Sequence, residues 1–208
     1  NVTGVQTCAL PISATVVAVQ KTRVVDGLFC AREIRTAADL RGKSIGVSSL
    51  GSMAHASALL ALQALKLTAK DVTIASVGGQ AQRIAALKAG SIACAPAAID
   101  QARDLNPLGF NTVVDLSTSN LQSPASALAM PVKFIEKNPR TALVVVAGLL
   151  EALHVELTDT QSAATLWAAF AQVTADKALT AVQALPSQLN PSLRWSKEGF
   201  LFTQQVMA

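Results

Sequence analysis

The 208-residue sequence is poor in the residues on which several classes of protein depend. It has no Tyr, two Trp and two His, and only 14% of its residues are charged. Because aromatic residues are scarce and no dense cluster of Arg and Lys occurs, no nucleic-acid partner is expected, although the formal net charge is +4. The three Cys lack the spacing of a zinc site or a disulfide scaffold, and Cys30 and Cys94 are predicted to be separate apolar residues of the core.

Long hydrophobic runs are also missing. The longest candidate, residues 142–150, ends after nine residues at Glu151, whereas a membrane span needs about 18. It is therefore predicted to be a buried helix, and the chain is not expected to span a membrane. Because 51% of the residues are hydrophobic, the chain is expected to be folded.

The first twelve residues look foreign to the rest. Residues 2–12, VTGVQTCALPI, resemble the translation of a common sequencing-library adapter. Such sequence is excluded from reasoning about the fold. We expect residues 1–12 to be non-native, and a natural beginning with a signal peptide to have been lost by truncation.

From residue 13 onward, strand-like and helix-like segments alternate. β-branched or short apolar runs predict strands, and residues 52–66 and 80–89 predict helices; a further helix is predicted to open at Pro96. After Asn138-Pro139, a strong helix start, only helices are predicted. This order favours a parallel sheet with ligands bound outside the carboxyl ends of its strands. The predicted strands cover residues 14–20, 27–31, 44–49, 72–77, 91–95, 111–116 and 127–132.

The first turn at that edge contains three hydroxyl groups and a glycine, Ser48, Ser49, Gly51 and Ser52, just before a long helix. The free N–H groups and positive dipole end of the helix could hold an anion there. The same residues could instead only cap the helix. His55, one turn later, is either a ligand contact or a polar residue at the helix margin.

A second turn, Gly78-Gly79-Gln80, repeats the pattern without hydroxyls. Arg83, one turn into the helix that follows it, could donate two hydrogen bonds to an anionic ligand or could form a structural tie.

Catalytic and nucleotide-binding patterns are absent from the sequence. It contains no Walker motif and no GxGxxG, and neither His55 nor His154 has a second ligand at metal spacing. No enzyme activity, cofactor or metal site is therefore expected.

Three segments carry a resemblance to a known family. They are residues 39–47 (DLRGKSIGV) with Gly51-Ser52, residues 71–72 (DV), and residues 81–92 (AQRIAALKAGSI). Their spacing resembles that of the solute-binding proteins of nitrate, sulfonate and taurine ABC importers and of relatives that bind thiamine pyrimidine precursors. Residues 51–55 (GSMAH) and 134–139 (FIEKNP) are similar to further segments of that family. One departure is Ile92-Ala93-Cys94, where the family often has Ile-Asp-Ala.

The resemblance implies an α/β fold of the type II periplasmic binding protein kind. It divides the chain into a remnant of a first lobe with a connecting strand at residues 13–35, a complete second lobe with a parallel sheet at residues 36–126, and a return strand with C-terminal helices of the first lobe at residues 127–208. The first lobe is expected to be partial.

The same resemblance implies a ligand site on three turns of the second lobe and one connecting residue. The predicted contacts are Ser48, Ser49, Gly51, Ser52, Met53, Gly79, Gln80, Pro96, Ala97 and Asp26.

The implied function is capture, without chemistry, of a small polar or anionic solute between two lobes, followed by delivery to a membrane permease. A monomer in the periplasm is expected. Two alternatives stay open: an enzyme of the pyrimidine-precursor synthase type, which needs a cluster of His and Cys, and a sensory effector domain of a transcriptional regulator.

Overall fold

The computed structural model describes residues 13–119 and 121–207, which form two compact units. Unit 1 consists of residues 13–22 and 124–199, and unit 2 consists of residues 23–123 and 200–207. The expected division into lobes stays a prediction, and the bounds of the units are not those expected for the lobes. Unit 2 begins at residue 23 and so includes the second predicted strand, and it also takes in the end of the last helix.

Unit 2 contains a five-stranded sheet in the order β4-β3-β5-β2-β6. Hydrophobic strands alternate with short helices along this part of the chain, as the sequence predicts. The elements are β2 (Asp26–Cys30), α1 (Ala37–Leu40), β3 (Ser44–Val47), α2 (Met53–Ala64), β4 (Thr73–Ser76), α3 (Gln80–Lys88), β5 (Cys94–Ala98), α4 (Ala102–Leu105) and β6 (Asn111–Asp115).

The sheet of unit 2 is mixed. β3 runs parallel to β4 and to β5, which confirms the predicted parallel arrangement for these strands. β2 lies between β5 and β6 and is antiparallel to both. The predicted parallel strands are thus joined by an antiparallel strand, β2, which the sequence had placed in the connecting segment. Its reversed direction places Asp26, its first residue, opposite Ala98 at the carboxyl end of β5.

Pro96 does not begin a helix. It lies in the middle of β5, opposite Leu28 of β2, and helix α4 begins only at Ala102. A central strand donates N–H groups to the neighbouring strands on both sides, and proline has no N–H to donate. β5 tolerates it because β3 pairs with β5 at Ile45↔Cys94, before Pro96 is reached.

The two cysteines predicted as separate core residues are joined in a disulfide. Cys30 and Cys94 face each other in the register of β2 and β5, with their Cα atoms 4.0 Å apart, and both are fully buried. The prediction of unpaired cysteines was wrong because 64 residues separate them, and only the strand pairing brings them together. The third cysteine, Cys8, lies outside the described residues.

Both faces of this sheet are covered by apolar side chains. Leu28 and Phe29, neighbours on β2, belong to different buried clusters because successive side chains of a strand point to opposite faces. Leu62 of α2 lies in the Leu28 cluster, whereas Leu87 of α3 and Leu105 of α4 lie in the Phe29 cluster. Unit 2 thus has helices on both sides of its sheet.

Unit 1 combines a two-stranded sheet with a group of helices. The chain passes between the units within β1, β7 and α9. Asn138-Pro139 starts α6 as predicted, and Thr174 precedes α8. Asp159, not Thr158, caps α7, accepting from the Ser162 N–H. The elements are β1 (Ala14–Arg23), β7 (Gln122–Pro131), α5 (Val132–Lys137), α6 (Pro139–Thr158), α7 (Thr160–Ala171), α8 (Ala175–Ala184) and α9 (Lys197–Met207).

Helix α6 is not the buried helix that its composition predicts. Only Ala142 and Leu153 are buried, while Leu143 and Val144 are about 70% exposed. α6 runs for 20 residues, and it is long and apolar enough by length and composition to cross a membrane. Interior helices of larger proteins pass the same test, so this property does not assign α6 to a bilayer.

Candidate functional site

The predicted site residues lie at one edge of the unit 2 sheet. β3, β4 and β5 end there, and the reversed strand β2 begins there with Asp26. The turns after β3 and β4 are neighbours because the N–H groups of Val77 and Gly78 both donate to the carbonyl oxygen of Val47. The structure therefore gathers at one edge the three turns that the sequence singled out.

The turn after β3 is built around the Ser52 hydroxyl. Ser52 is the N-cap of α2, and its Oγ accepts from the N–H of His55 at 3.3 Å. The same Oγ receives the Ser48 hydroxyl at 2.9 Å and donates to the Ser49 carbonyl oxygen at 2.7 Å. Gly51 has a φ of 83°, which favours glycine at this position of the turn.

These hydrogen bonds show that Ser52 caps helix α2, which is one of the two roles expected for it. They serve the third amide of α2, while the amides of Met53 and Ala54 have no acceptor within the helix. The positive end of the helix dipole is therefore directed at this turn. The Ser49 side chain is exposed and Ser48 is half-buried, so neither is sunk into the core.

His55 is also part of the turn. Its Nδ1 accepts from the N–H of Gly51 at 3.1 Å. When imidazole is neutral, a bond accepted by Nδ1 leaves the proton on Nε2. His55 lies in the first turn of helix α2, and its hydrogen bond stabilises the loop before the helix. This agrees with the second interpretation of His55, a polar residue at the helix margin.

Arg83 joins the turn after β4 to strand β5. Its side chain is 6% exposed; Nε and Nη2 donate to the Pro96 carbonyl oxygen at 3.2 and 3.1 Å, and Nη1 donates to the Gly78 carbonyl oxygen at 2.9 Å. Burial lowers the pKa of the guanidinium, and the nearby Asp26 carboxylate acts in the opposite direction. Of the two roles expected for Arg83, the structure shows the structural one, and its guanidinium binds backbone carbonyl oxygens. It also places a positive charge close to this edge of the sheet.

Asp26 and Gln80 complete the framework of the edge. The Ser57 hydroxyl donates to Asp26 Oδ2 at 2.5 Å, which links β2 to helix α2. Gln80 Oε1 accepts from the Ala98 N–H at 3.1 Å and so ties α3 to the end of β5. The Gly79 N–H donates to Gln82 Oε1 at 2.6 Å. A solute that uses the Gly79 amide must displace the exposed Gln82 side chain.

Two predicted contacts, Pro96 and Ala97, are buried, and the Pro96 carbonyl oxygen already accepts from Arg83. Met53 is half-buried and packs against a small cluster with Val24 and Leu60. Some exposure is retained by Ser48, Ser49, Gly51, Ser52, Met53, Gly79, Gln80 and Asp26. Contact of all ten residues with a ligand stays a prediction.

Sequence reasoning missed Ser57 and the amide of Ala98. Ser57 is a buried polar residue inside an otherwise apolar helix, and that interruption was a usable signal because buried hydroxyls require a partner. The Ala98 amide had no signal of its own, since every residue except proline carries a backbone N–H and only the folded position of Gln80 selects this one.

The fold of this chain is that of the periplasmic binding proteins. The aliphatic sulphonate-binding protein SsuA from Escherichia coli superimposes with a TM-score of 0.69 at 20% identity, covering 94% of this chain and 67% of SsuA. The alkanesulfonate-binding protein SsuA from Xanthomonas axonopodis pv. citri, solved with MOPS, gives 0.72 at 17% identity, covering 93% and 66%. A Candida albicans protein described as having the generic periplasmic binding protein fold gives 0.71 at 9% identity, covering 94% and 65%.

The same fold also carries an enzyme. The desulfurization enzyme DszB gives a TM-score of 0.60 at 17% identity, covering 95% of this chain and 72% of the enzyme. The chain spans about two thirds of the length of the SsuA structures. No protein-family model matches the sequence, and no curated protein matches it.

Proposed function

We propose that this chain belongs to the substrate-binding component of an ABC importer and captures a small anionic solute, with the sulfonate class first. Taurine, nitrate and pyrimidine precursors are the other members of the expected set. The observation that carries the proposal is the edge of unit 2, where the first turn of α2 lies beside the turn after β4, which the buried cation Arg83 ties to strand β5.

The chemistry of this edge suits an anionic head group. Amide N–H groups at a helix start and hydroxyl groups donate to sulfonate or carboxylate oxygens, and the dipole of a 12-residue helix adds favourable potential. The solved structures of similar fold support the sulfonate class, because two of them are sulfonate-binding proteins. Delivery to a permease follows the role of such components in ABC import.

The disulfide supports a location outside the cytoplasm. Disulfides form and persist in oxidising compartments such as the bacterial periplasm and are rare in the cytosol. Cys30–Cys94 joins two inner strands of the unit 2 sheet, and both cysteines are fully buried. It thus favours the periplasm independently of the similarity to the periplasmic SsuA of Escherichia coli.

An enzyme on this fold is the second candidate, because DszB shares it. Among residues 13–119 and 121–207, no group of three or more His, Cys, Asp or Glu is placed to hold a metal ion. Both cysteines in that part of the chain are held in the disulfide, so neither supplies a thiolate nucleophile. These two observations make binding the better supported function.

Calorimetric titration of the 208-residue chain with an alkanesulfonate, taurine, nitrate and a pyrimidine precursor tests the proposal. We expect saturable binding of the sulfonate. Ser52→Asp keeps a good helix cap but puts a carboxylate at the start of α2, and it should weaken sulfonate binding at least tenfold, or about 1.4 kcal/mol.

The matched control is Ser52→Asn, which also caps a helix well and adds no charge. It should retain most of the affinity. If Ser52→Asp binds sulfonate as tightly as the unaltered chain, the site is elsewhere. If no member of the panel binds the unaltered chain, the proposed solute class is wrong.

A further inference from the structure

A cavity of about 540 Å³ lies within unit 1. Its volume falls within the range of about 300–1,000 Å³ that is usual for small-molecule sites. Helices α6, α7 and α8 supply most of its walls, and β1, β7 and the segment after α8 supply the remainder. The apolar lining includes Ala152, Val155, Leu166, Trp167, Phe170 and Val182.

The apolar wall on α7 is unusually open. Leu166 is 67% exposed and Trp167 45%, and the rings of Trp167 and Phe170 lie 6.2 Å apart with a tilt of 38°. Contiguous apolar side chains at a surface mark places where another molecule binds, because leaving them in water is unfavourable. This wall offers an aromatic surface to such a molecule.

The polar end of the cavity contains a carboxylate oxygen that lacks a donor. Oε2 of Glu156 is buried, and no group in the described part of the chain donates to it. Burial raises the pKa of this carboxyl, and the charge of Lys21 only partly offsets the effect. A buried acceptor without a partner is unfavourable, and a donor from a ligand would satisfy it.

The other polar groups of the lining are engaged with each other. Lys21 Nζ donates to Gln188 Oε1 at 3.0 Å, and the Ser126 hydroxyl donates to Gln20 Oε1 at 3.4 Å. The unmet requirement of the cavity is therefore for a donor, and one with positive charge meets the Glu156 carboxylate best.

We propose that this cavity binds a small primary amine with an aromatic body, whose ammonium group donates to Glu156 Oε2 while its ring packs against Trp167 and Leu166. An alcohol of the same shape offers one uncharged donor and binds more weakly, because it lacks the ion-pair attraction that an ammonium group adds to the hydrogen bond with the carboxylate. An ionised carboxylate of the same shape has no proton to donate to Oε2.

The test uses tryptophan fluorescence of the whole chain. Trp195→Phe leaves Trp167 as the one tryptophan, and the variant is titrated at constant ionic strength with phenethylamine, 2-phenylethanol and 3-phenylpropanoate. We expect a saturable change in emission with the amine, about tenfold weaker affinity for the alcohol, and no saturation with the carboxylate. Equal responses to all three compounds, or no saturable response to the amine, overturn the proposal.

A pair of variants on α6 isolates the carboxylate. Glu156→Gln keeps the size of the side chain and should weaken amine binding at least tenfold with little effect on the alcohol. Glu151→Gln removes the same charge from an exposed position outside the cavity lining and should change neither. Equal losses of amine affinity in the two variants contradict the proposal. The proposal is also contradicted if the chain sediments as a dimer in which the second copy covers Trp167.

Discussion

Helices α2 and α6 are both rich in apolar residues, yet α2 is largely buried and α6 is largely exposed. In unit 2, α2 contributes seven buried residues and lies on one face of a five-stranded sheet. In unit 1, α6 is eight residues longer but has only two buried residues, beside a sheet of two strands. Burial is therefore decided by the surface that each unit offers to a helix, and not by how apolar the helix is.

This comparison bears on how each unit is stabilised. Unit 2 has apolar clusters on both faces of its sheet and a disulfide through its centre. Unit 1 holds smaller clusters around Leu153 and Ala178 and leaves Leu143 and Phe170 largely in water. We infer that unit 2 derives its stability from its own core, whereas the exposed face of unit 1 has the character of a binding surface.

The largest expected difference concerns the disulfide. Replacing both cysteines, Cys30→Ala with Cys94→Ala, should lower the free energy of unfolding of unit 2 by about 4 kcal/mol, because the bond closes a loop of 64 residues. Amide hydrogen exchange in β2 and β5 measures the effect. Both tryptophans, Trp167 and Trp195, belong to unit 1, so their emission follows that unit separately.

The double cysteine substitution should lower the stability of unit 1, measured from its tryptophan emission, less than it lowers the stability measured by hydrogen exchange in β2 and β5. Equal shifts in the two measurements would show that the units unfold as one cooperative body and would remove the energetic distinction between them.

A pair of leucines on the two helices sharpens the comparison. Leu62 of α2 is 1% exposed and Leu143 of α6 is 70% exposed. Leu62→Ala should cost about 2–5 kcal/mol because it leaves a cavity in the core, whereas Leu143→Ala should cost less than about 0.5 kcal/mol. Urea unfolding of both variants measures the difference. A large loss for Leu143→Ala would mean that α6 is covered in solution.

Local signals in the sequence predicted most of unit 2. Thr36 caps α1 and Ser52 caps α2 as their residue types indicate, and Gly51 occupies a backbone conformation that suits glycine. The gathering of three turns at one edge also followed from the alternation of strands and helices. Such features depend on a few neighbouring residues, so the sequence reveals them directly.

Features that depend on distant pairing were not predictable in this way. The disulfide, the central position of Pro96 and the contact between Ser57 and Asp26 all follow from the placement and direction of β2. No local pattern specifies whether a strand runs parallel or antiparallel to its neighbour. The exposure of α6 was missed for a related reason, since composition predicts burial only when a partner surface is present.

The smallest expected effects are on the pH dependence of stability, and they differ in sign between the units. In unit 1, burial raises the pKa of Glu156, so its favourable contribution exists at low pH and is lost as pH rises through the folded-state pKa. In unit 2, hydrogen bonds from Thr36 lower the pKa of Asp39. That contribution is present above the usual Asp pKa and is lost as pH falls through the lowered value.

Glu156→Gln should therefore raise the free energy of unfolding at neutral pH, by less than about 1 kcal/mol because the side chain is partly solvated, and change it little at about pH 3.5, where the carboxyl is protonated. Asp39→Asn should do the reverse and lower stability at neutral pH. Urea unfolding followed by tryptophan emission serves for the first variant, and hydrogen exchange near α1 for the second. If Glu156→Gln is destabilising at neutral pH, the carboxylate already has a donor in solution, and the description of Glu156 Oε2 as a buried acceptor without a donor is wrong.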